Sequence, residues 1–481
     1  MKKIYLQLVL ITLSVTSIAQ NIDLQEDTTT NLYDSRHGAC AMADIDNDGD
    51  LDLLITGRDG NLTNDRTTLY SNDGLGNFTE ITQSSLSILT DSGSIAFADT
   101  DGDGDQDLLL TGRDNSPTYY AHFYLNDGSG NFTPDTTQPF EPSVGGNLDF
   151  ADIDNDGDMD LFMTGFLAGN TRFSKLYLND GTGNFSEITS TPFLDIGGTS
   201  SSAFFDMDND NDLDLILTGK NNNNEKKTTL YENDGAGNFS LVSNTPFENV
   251  SNGGIAVADT DNDGDIDVLI NGENTIGGFC QLYLNDGTGA FNPLAGTPFI
   301  QTIAGTADFA DFDNDNDMDI LVTGSAGGPD FAAHIYENQG NNNFSLVDIL
   351  ATVYIPSTAL GDIDNDNDLD AIVTGIANIS GSSFKSRVYK NMLTTLSTGT
   401  AAIGLKENIV LYPNPSSGIF TIQTNQTLTG SIKIYNLVGE LVFSEDNLNP
   451  SDQFILQQPP GMYMVVIKSI NSISTSKLII K

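Results

Sequence analysis

Seven short stretches of the 481-residue chain place five aspartates at alternate positions. They are Asp44, Asp46, Asp48, Asp50 and Asp52; Asp99, Asp101, Asp103, Asp105 and Asp107; Asp152, Asp154, Asp156, Asp158 and Asp160; and Asp206, Asp208, Asp210, Asp212 and Asp214. Asp259, Asp261, Asp263, Asp265 and Asp267 follow, then Asp311, Asp313, Asp315, Asp317 and Asp319, then Asp362, Asp364, Asp366, Asp368 and Asp370. Alternating carboxylates on a tight loop can converge on one point, as a hard cation with about six to eight oxygen ligands requires. Positions one, three and five would donate side-chain oxygens, position seven its backbone carbonyl, and position nine a closing bidentate carboxylate. Position six must turn with positive φ. It is Gly49, Gly104, Gly157 and Gly264, or Asn211, Asn316 and Asn367, the residues that tolerate this conformation best. No His or Cys lies in a loop, which disfavours a transition metal, and a flexible all-protein oxygen cage favours Ca2+ over Mg2+. Position twelve of the first loop is Ile55, so this is no EF-hand. An ion-free acidic turn is the plain alternative for one loop; seven complete copies argue against it. Up to seven structural Ca2+ sites are expected, with affinities of roughly 0.1–1 mM.

The loops recur at spacings of 55, 53, 54, 53, 52 and 51 residues. Two markers keep the same phase: Tyr70, Tyr124, Tyr177, Tyr231, Tyr283, Tyr336 and Tyr389, and Phe78, Phe132, Phe185, Phe239, Phe291 and Phe344. Each unit holds four short β-favouring runs separated by Gly and Asn-Asp-Gly turns. In the second copy the pattern predicts strands near residues 95–98, 108–111, 122–125 and 131–133. Four strands in about fifty residues make a propeller blade. The seventh unit stops after its third strand, at Lys390-Asn391, while Asn21-Ile22-Asp23-Leu24 precedes the first loop much as Phe78-Thr79-Glu80-Ile81 precedes the second. The expected fold is all-β: a seven-bladed β-propeller over residues 20–392, its last blade completed by the N-terminal strand. A linear solenoid, the alternative, would need polar capping repeats.

Composition narrows the function. With 67 Asp+Glu against 19 Lys+Arg and a formal net charge of -48, the chain lacks the basic footprint that nucleic acid requires. The 38% hydrophobic content, with 26 Phe and 15 Tyr, can fill a core, against disorder. Lys2 and Lys3, the apolar run from Ile4 to Thr16 and the small residues Ser17-Ile18-Ala19 read as a signal peptide over residues 1–19. No later apolar run reaches 18 residues, so no transmembrane span is expected. Cys40 and Cys280 are the only cysteines and read as packed thiols rather than a bridge.

The repeat unit, as in Ile95-Ala96-Phe97-Ala98-Asp99 through Asp107-Leu108-Leu109-Leu110-Thr111-Gly112, resembles the FG-GAP/VCBS repeats of integrin-α-type propellers. The resemblance implies calcium loops between the first and second strands of each blade, acting as braces on the face opposite the usual ligand surface. A Thr/Ser/Gly/Ala-rich linker (393–409) leads to residues 410–481, whose alternating runs read as a small β-sandwich. Leu411-Tyr412-Pro413-Asn414-Pro415, Tyr435-Asn436, Gly439, Pro460-Gly461-Met462-Tyr463 and Lys477 resemble the type A sorting domain of the type IX secretion system of Bacteroidetes. This implies contact with that secretion machinery, passage across the outer membrane, and release or attachment at the cell surface.

Catalysis is not expected. Of three histidines, His122 and His334 share one repeat position and His37 stands beside Gly38, in no recognisable catalytic motif. No nucleophile elbow, phosphate loop or zinc motif occurs. A polysaccharide lyase or hydrolase remains the alternative, since 67 acids always offer a pair somewhere. The loops opposite the Asp loops vary and include Arg58, Arg113, Pro117, Tyr119, Tyr120, Phe166, Arg172, Lys220 and Phe331; variable loops on a rigid scaffold are where recognition usually sits. The expectation is a secreted or surface-displayed calcium-binding module for adhesion or for an extracellular glycan or protein ligand.

Overall fold

Each Asp loop runs into a segment such as Asp52-Leu53-Leu54-Ile55-Thr56-Gly57, buried along its whole length. A strand apolar on both faces must be covered on both sides, and each of these is the second strand of a four-stranded antiparallel sheet. The computed structural model describes residues 22–393 apart from 59–64, 83–85, 88, 90, 115–117, 170, 328–330, 352 and 378–383, and mainly the strands between 410 and 480. The predicted leader, the linker, Pro117 and the Pro413-Asn414-Pro415 motif lie outside the described residues.

Blade 1 comprises Cys40–Ala43, Asp52–Arg58, Asp65–Ser71 and Thr79–Glu80. Blade 2 comprises Asp91–Ala98, Asp107–Arg113, Tyr119–Leu125 and Thr133–Asp135, and blade 3 Leu148–Ala151, Asp160–Phe166, Arg172–Asn179 and Phe185–Ile188. Blade 4 comprises Ile196–Phe205, Asp214–Asn221, Lys226–Asn233 and Phe239–Val242, and blade 5 Ile255–Ala258, Asp267–Glu273, Gly278–Leu284 and Asn292–Pro293. Blade 6 comprises Ala307–Ala310, Asp319–Ser325, Phe331–Asn338 and Phe344–Ile349. Blade 7 supplies Tyr354–Gly361, Asp370–Ile376 and Phe384–Asn391. Its fourth strand is Leu24–Glu26, antiparallel to the third, with Leu24 opposite Asn391. The seven-bladed ring closed by the N-terminal strand is thus the observed fold.

The fourth strand of blade 2 begins two residues later than its sequence predicts. Asn131 is taken by the preceding turn, where its amide and side chain both donate to Asp127.

Apolar packing lies between blades. Leu54 joins Ala43 and Ile45 against Leu108, Leu110 and Tyr124 of blade 2, while Leu53 and Ile55 face Ile363, Ile372 and Val388 of blade 7. Every neighbouring pair shares such a cluster. The marker tyrosines serve these seams. Phe193 meets Tyr231 edge-on at 5.1 Å and Phe247 meets Tyr283 at 4.9 Å, a favoured aromatic geometry. Tyr231 Oη accepts Leu194 N at 2.8 Å and Tyr336 Oη accepts Ile300 N at 2.8 Å, pinning the segments that enter blades 4 and 6.

The C-terminal unit, Thr395–Lys481, is a separate small β-sandwich. A three-stranded sheet (Val410–Tyr412, Ile419–Gln423, Gln453–Ile455) and a four-stranded one (Leu441–Asp446, Gly430–Tyr435, Gly461–Ser469, Ile473–Ile480) bury Phe420, Phe454, Ile432, Ile434 and Val465 together.

Candidate metal centre

The Asp loops join the first and second strands of each blade, so all seven open on one face of the ring. Position one organises the loop. Asp44 Oδ1 accepts Asp48 N at 3.2 Å and Oδ2 accepts Gly49 N at 3.0 Å. The chain can deliver those amides only with a left-handed residue at position six: φ is 94° at Gly49 and 70° at Asn211. The sequence prediction holds there, but position four is left-handed too, from Asn314 (57°) to Gly102 (74°).

Positions one, three and five converge. In Asp44-Asp46-Asp48, Asp99-Asp101-Asp103, Asp206-Asp208-Asp210 and Asp259-Asp261-Asp263, one oxygen of each lies within 4.8 Å of the others. In blade 3 the three oxygens that meet are those of Asp152, Asp154 and Asp160, which adds position nine. Position three is the uncomfortable one. Asp46 Oδ1, Asp154 Oδ1, Asp208 Oδ1, Asp261 Oδ1, Asp313 Oδ2 and Asp364 Oδ1 are buried without a hydrogen-bond partner. Burial, then repulsion from positions five and one, raises the Asp46 carboxyl, and the same causes push Asp313 up to about 7.

Position nine is built into the blade. Asp52, Asp107, Asp160, Asp214, Asp267, Asp319 and Asp370 are all buried. Asp214 Oδ2 accepts Met207 N at 2.9 Å and Oδ1 accepts Asn233 N at 2.8 Å, and Asp319 and Asp370 repeat the pattern. These amides hold the carboxylate in place and leave each oxygen a second lone pair. Desolvation, opposed by the amides, pushes Asp52 up to about 6 and Asp319 to about 8. Position-seven side chains turn away from their own loop: Asp105 Oδ1 accepts from Asn47 of blade 1 and Asp212 Oδ1 from Asn155 of blade 3.

The Asn two residues after each marker Tyr escaped the sequence reading. Its side-chain amide donates to the position-two carbonyl of the preceding blade's loop: Asn126 to Ile45, Asn179 to Thr100, Asn233 to Ile153 and Asn285 to Met207, at 2.7–2.8 Å. Asn338, Asn391 and Asn72 complete the circle on Thr260, Phe312 and Ile363. Its constant distance from the Tyr was a signal available in the sequence.

At the other end of the first strands, residues seven places before each loop share positive φ: His37, Ser92, Gly145, Thr199, Asn252, Ala304 and Ile355, at 51–64°. Their backbones link blade to blade, Ser92 N to His37 O at 2.7 Å, Gly145 N to Ser92 O at 2.7 Å and Asn252 N to Thr199 O at 3.1 Å. Several expected recognition residues are packed on this side. The Arg172 guanidinium lies 4.6 Å from the Phe166 ring and Phe331 stacks on Tyr354 at 5.5 Å. His122 stacks on Tyr120, His334 Nδ1 lies 3.2 Å from Tyr336 Oη, and burial lowers both histidines. Cys40 and Cys280 are free, buried thiols in different seams, pushed up by burial to about 11 and about 12.

A profile of the FG-GAP-like repeat matches residues 44–110, 99–163, 166–217, 209–270 and 259–322. The chain belongs to the FG-GAP-like repeat family. The FG-GAP-like propeller is followed by a second match, the secretion system C-terminal sorting domain, over residues 410–481. That domain assigns the chain to type IX secretion and so to the extracellular space or cell surface. Among the described residues no helix is long and apolar enough to cross a membrane. No curated protein matches the chain. Solved structures similar to it include the six-bladed fucose-recognising lectin of Aleuria aurantia, 11% identical, covering 66% of this chain and 96% of that one with a TM-score of 0.36. AofleA from Arthrobotrys oligospora is 10% identical, covering 68% and 90%, with a TM-score of 0.38. A mutant of the NanB sialidase from Streptococcus pneumoniae is 12% identical, covering 78% and 70%, with a TM-score of 0.36. Likeness at this level bears on neither ligand nor chemistry.

Proposed function

We propose that this FG-GAP-like propeller is a Ca2+-braced binding module that presents the face opposite its Asp loops to an extracellular glycan or protein. The observation that supports the ion is the buried, unpartnered position-three oxygen, repeated in six of the seven loops. Such an oxygen costs free energy until something positive meets it. All-oxygen donors from positions one, three and five within 4.8 Å suit a hard cation. Asp44, Asp46 and Asp48 and their counterparts would hold it, with position nine beside them. When bound, Ca2+ supplies charge compensation and ties the end of the first strand to the start of the second. The rigid ring beneath, sealed by interblade Asn side chains, supports the reading of the opposite loops as the recognition surface.

Equilibrium dialysis of the full chain against Ca2+ is expected to show uptake of several ions with dissociation constants of roughly 0.1–1 mM. Asp46→Asn should remove one. Absence of uptake at about ten times that concentration overturns the metal reading. The calcium-loaded chain on a glycan array, with the same preparation incubated with polysaccharide pools, addresses the ligand: binding without turnover supports a module, and turnover supports a lyase or hydrolase instead.

A further inference from the structure

Position four of each Asp loop is held left-handed by the loop's own fold, and its side chain therefore leaves the loop. In six blades it is Asn, and that Asn reaches the loop of the next blade, at position seven in five of them and at position six in the other. Asn47 Nδ2 donates to Asp105 Oδ1 at 2.6 Å, Asn155 to Asp212 at 2.8 Å, Asn209 to Asp265 at 2.7 Å and Asn262 to Asp317 at 2.6 Å. Asn314 donates to the carbonyl of Asn367, position six of blade 7, at 2.9 Å. Asn365 carries the chain across the ring closure to Asp50 at 2.6 Å. The acceptors are themselves seated. A Cβ on Gly74 would come within 2.5 Å of Asp50 Oδ1, and one on Gly235 would meet Asp212 as closely, so the Asp-Gly turn needs its glycine to admit the position-seven carboxylate. In blade 2 position four is Gly102. Gly102 has no side chain to reach Asp158, and the seam between blades 2 and 3 lacks the link.

We infer that the seven loops act as coupled neighbours rather than independent sites, joined in one direction around the ring and open at the seam between blades 2 and 3. This rests on the Ca2+ reading of the loops. Position seven serves two loops, its backbone belonging to its own loop and its side chain receiving the Asn of the preceding one. Ordering one loop fixes the acceptor that orders the next, so uptake at one raises affinity at its neighbour.

Reciprocal substitutions test this. Gly102→Asn adds the missing donor: a Cβ at Gly102 meets nothing within 4 Å, and its φ of 74° is close to the 57–63° of the six asparagines. Asn47→Gly removes a link without straining the left-handed backbone. Calcium titration of the full chain by calorimetry should be sigmoidal, with a Hill coefficient of roughly 1.5–2. Asn47→Gly should lower that coefficient and shift the calcium-loaded unfolding midpoint down by about 1–2 °C, and Gly102→Asn should move both the other way. Variants indistinguishable from a parent that still takes up calcium overturn the coupling alone. A parent that takes up none overturns the calcium reading and the coupling together.

Discussion

Asn233 joins three pieces of backbone that have no water to turn to. Its amide donates to Asp214, and its side chain donates to Ile153 of the preceding blade and to Leu213 of its own; Asn233, Asp214 and Ile153 are each 3% exposed or less. Asn233→Ala should cost about 2–4 kcal/mol in denaturant unfolding, because the Ile153 and Leu213 carbonyls lose their side-chain donor while the backbone amide stays on Asp214. The exposed Asn223→Ala should change stability by less than about 0.5 kcal/mol. Asp149 poses a different residue-scale question. Five blades have Ala at its position (Ala41, Ala96, Ala203, Ala256 and Ala359), whereas Asp149 accepts from Ser202 Oγ across the seam with blade 4 and from Asn147 Nδ2 of its own blade. Burial pushes it up to about 6, against the pull of those two donors. A carboxyl raised above its unfolded value binds protons preferentially in the folded state, so its contribution falls as pH rises toward and through about 6. Asp149→Asn should therefore gain about 2 kcal/mol relative to the parent between pH 4.5 and 7.5. Parallel stability-pH curves for the two proteins would refute it.

Elements were legible where residue type and backbone demand coincide. Position six had to be Gly or Asn, and left-handed geometry followed. Position four carries the same two residue types, Asn or Gly, and so holds the same signal for a left-handed backbone. The ring of left-handed residues at the other end of the first strands was not legible. His37, Ser92, Thr199, Ala304 and Ile355 share no chemistry, and all but Ile355 are joined by backbone hydrogen bonds running from blade to blade. Such strain can be relieved. Thr199 is exposed and β-branched at a φ of 64°, so Thr199→Asn should stabilise the propeller by about 0.5–1 kcal/mol in thermal or denaturant unfolding. A loss of stability would mean that the Thr side chain holds the ring. Position nine shows the converse limit. The carboxylate pattern predicted a metal ligand, yet the local fold also uses each of these aspartates to hold two backbone segments. Sequence spacing alone does not separate the two uses.

At the scale of the molecule, the repeat count, ring closure and sorting domain were readable because each is written in periodic or contiguous residues. The interblade contacts were not, because they pair residues about 80 positions apart, as Asn126 does with Ile45. Thirty-five of the 67 acidic residues sit in the seven loops, and inside each loop they repel one another when no cation is bound. The fold answers locally with amides on positions one and nine and leaves one position-three oxygen unmet in six of the seven loops. Calcium at tenfold its dissociation constant would contribute about 1.4 kcal/mol per site and roughly 10 kcal/mol over the ring. Scanning calorimetry of the full chain at about 5 mM Ca2+ and again with excess chelator measures this directly. The expected result is a propeller midpoint at least about 5 °C higher with calcium; identical midpoints would contradict the brace.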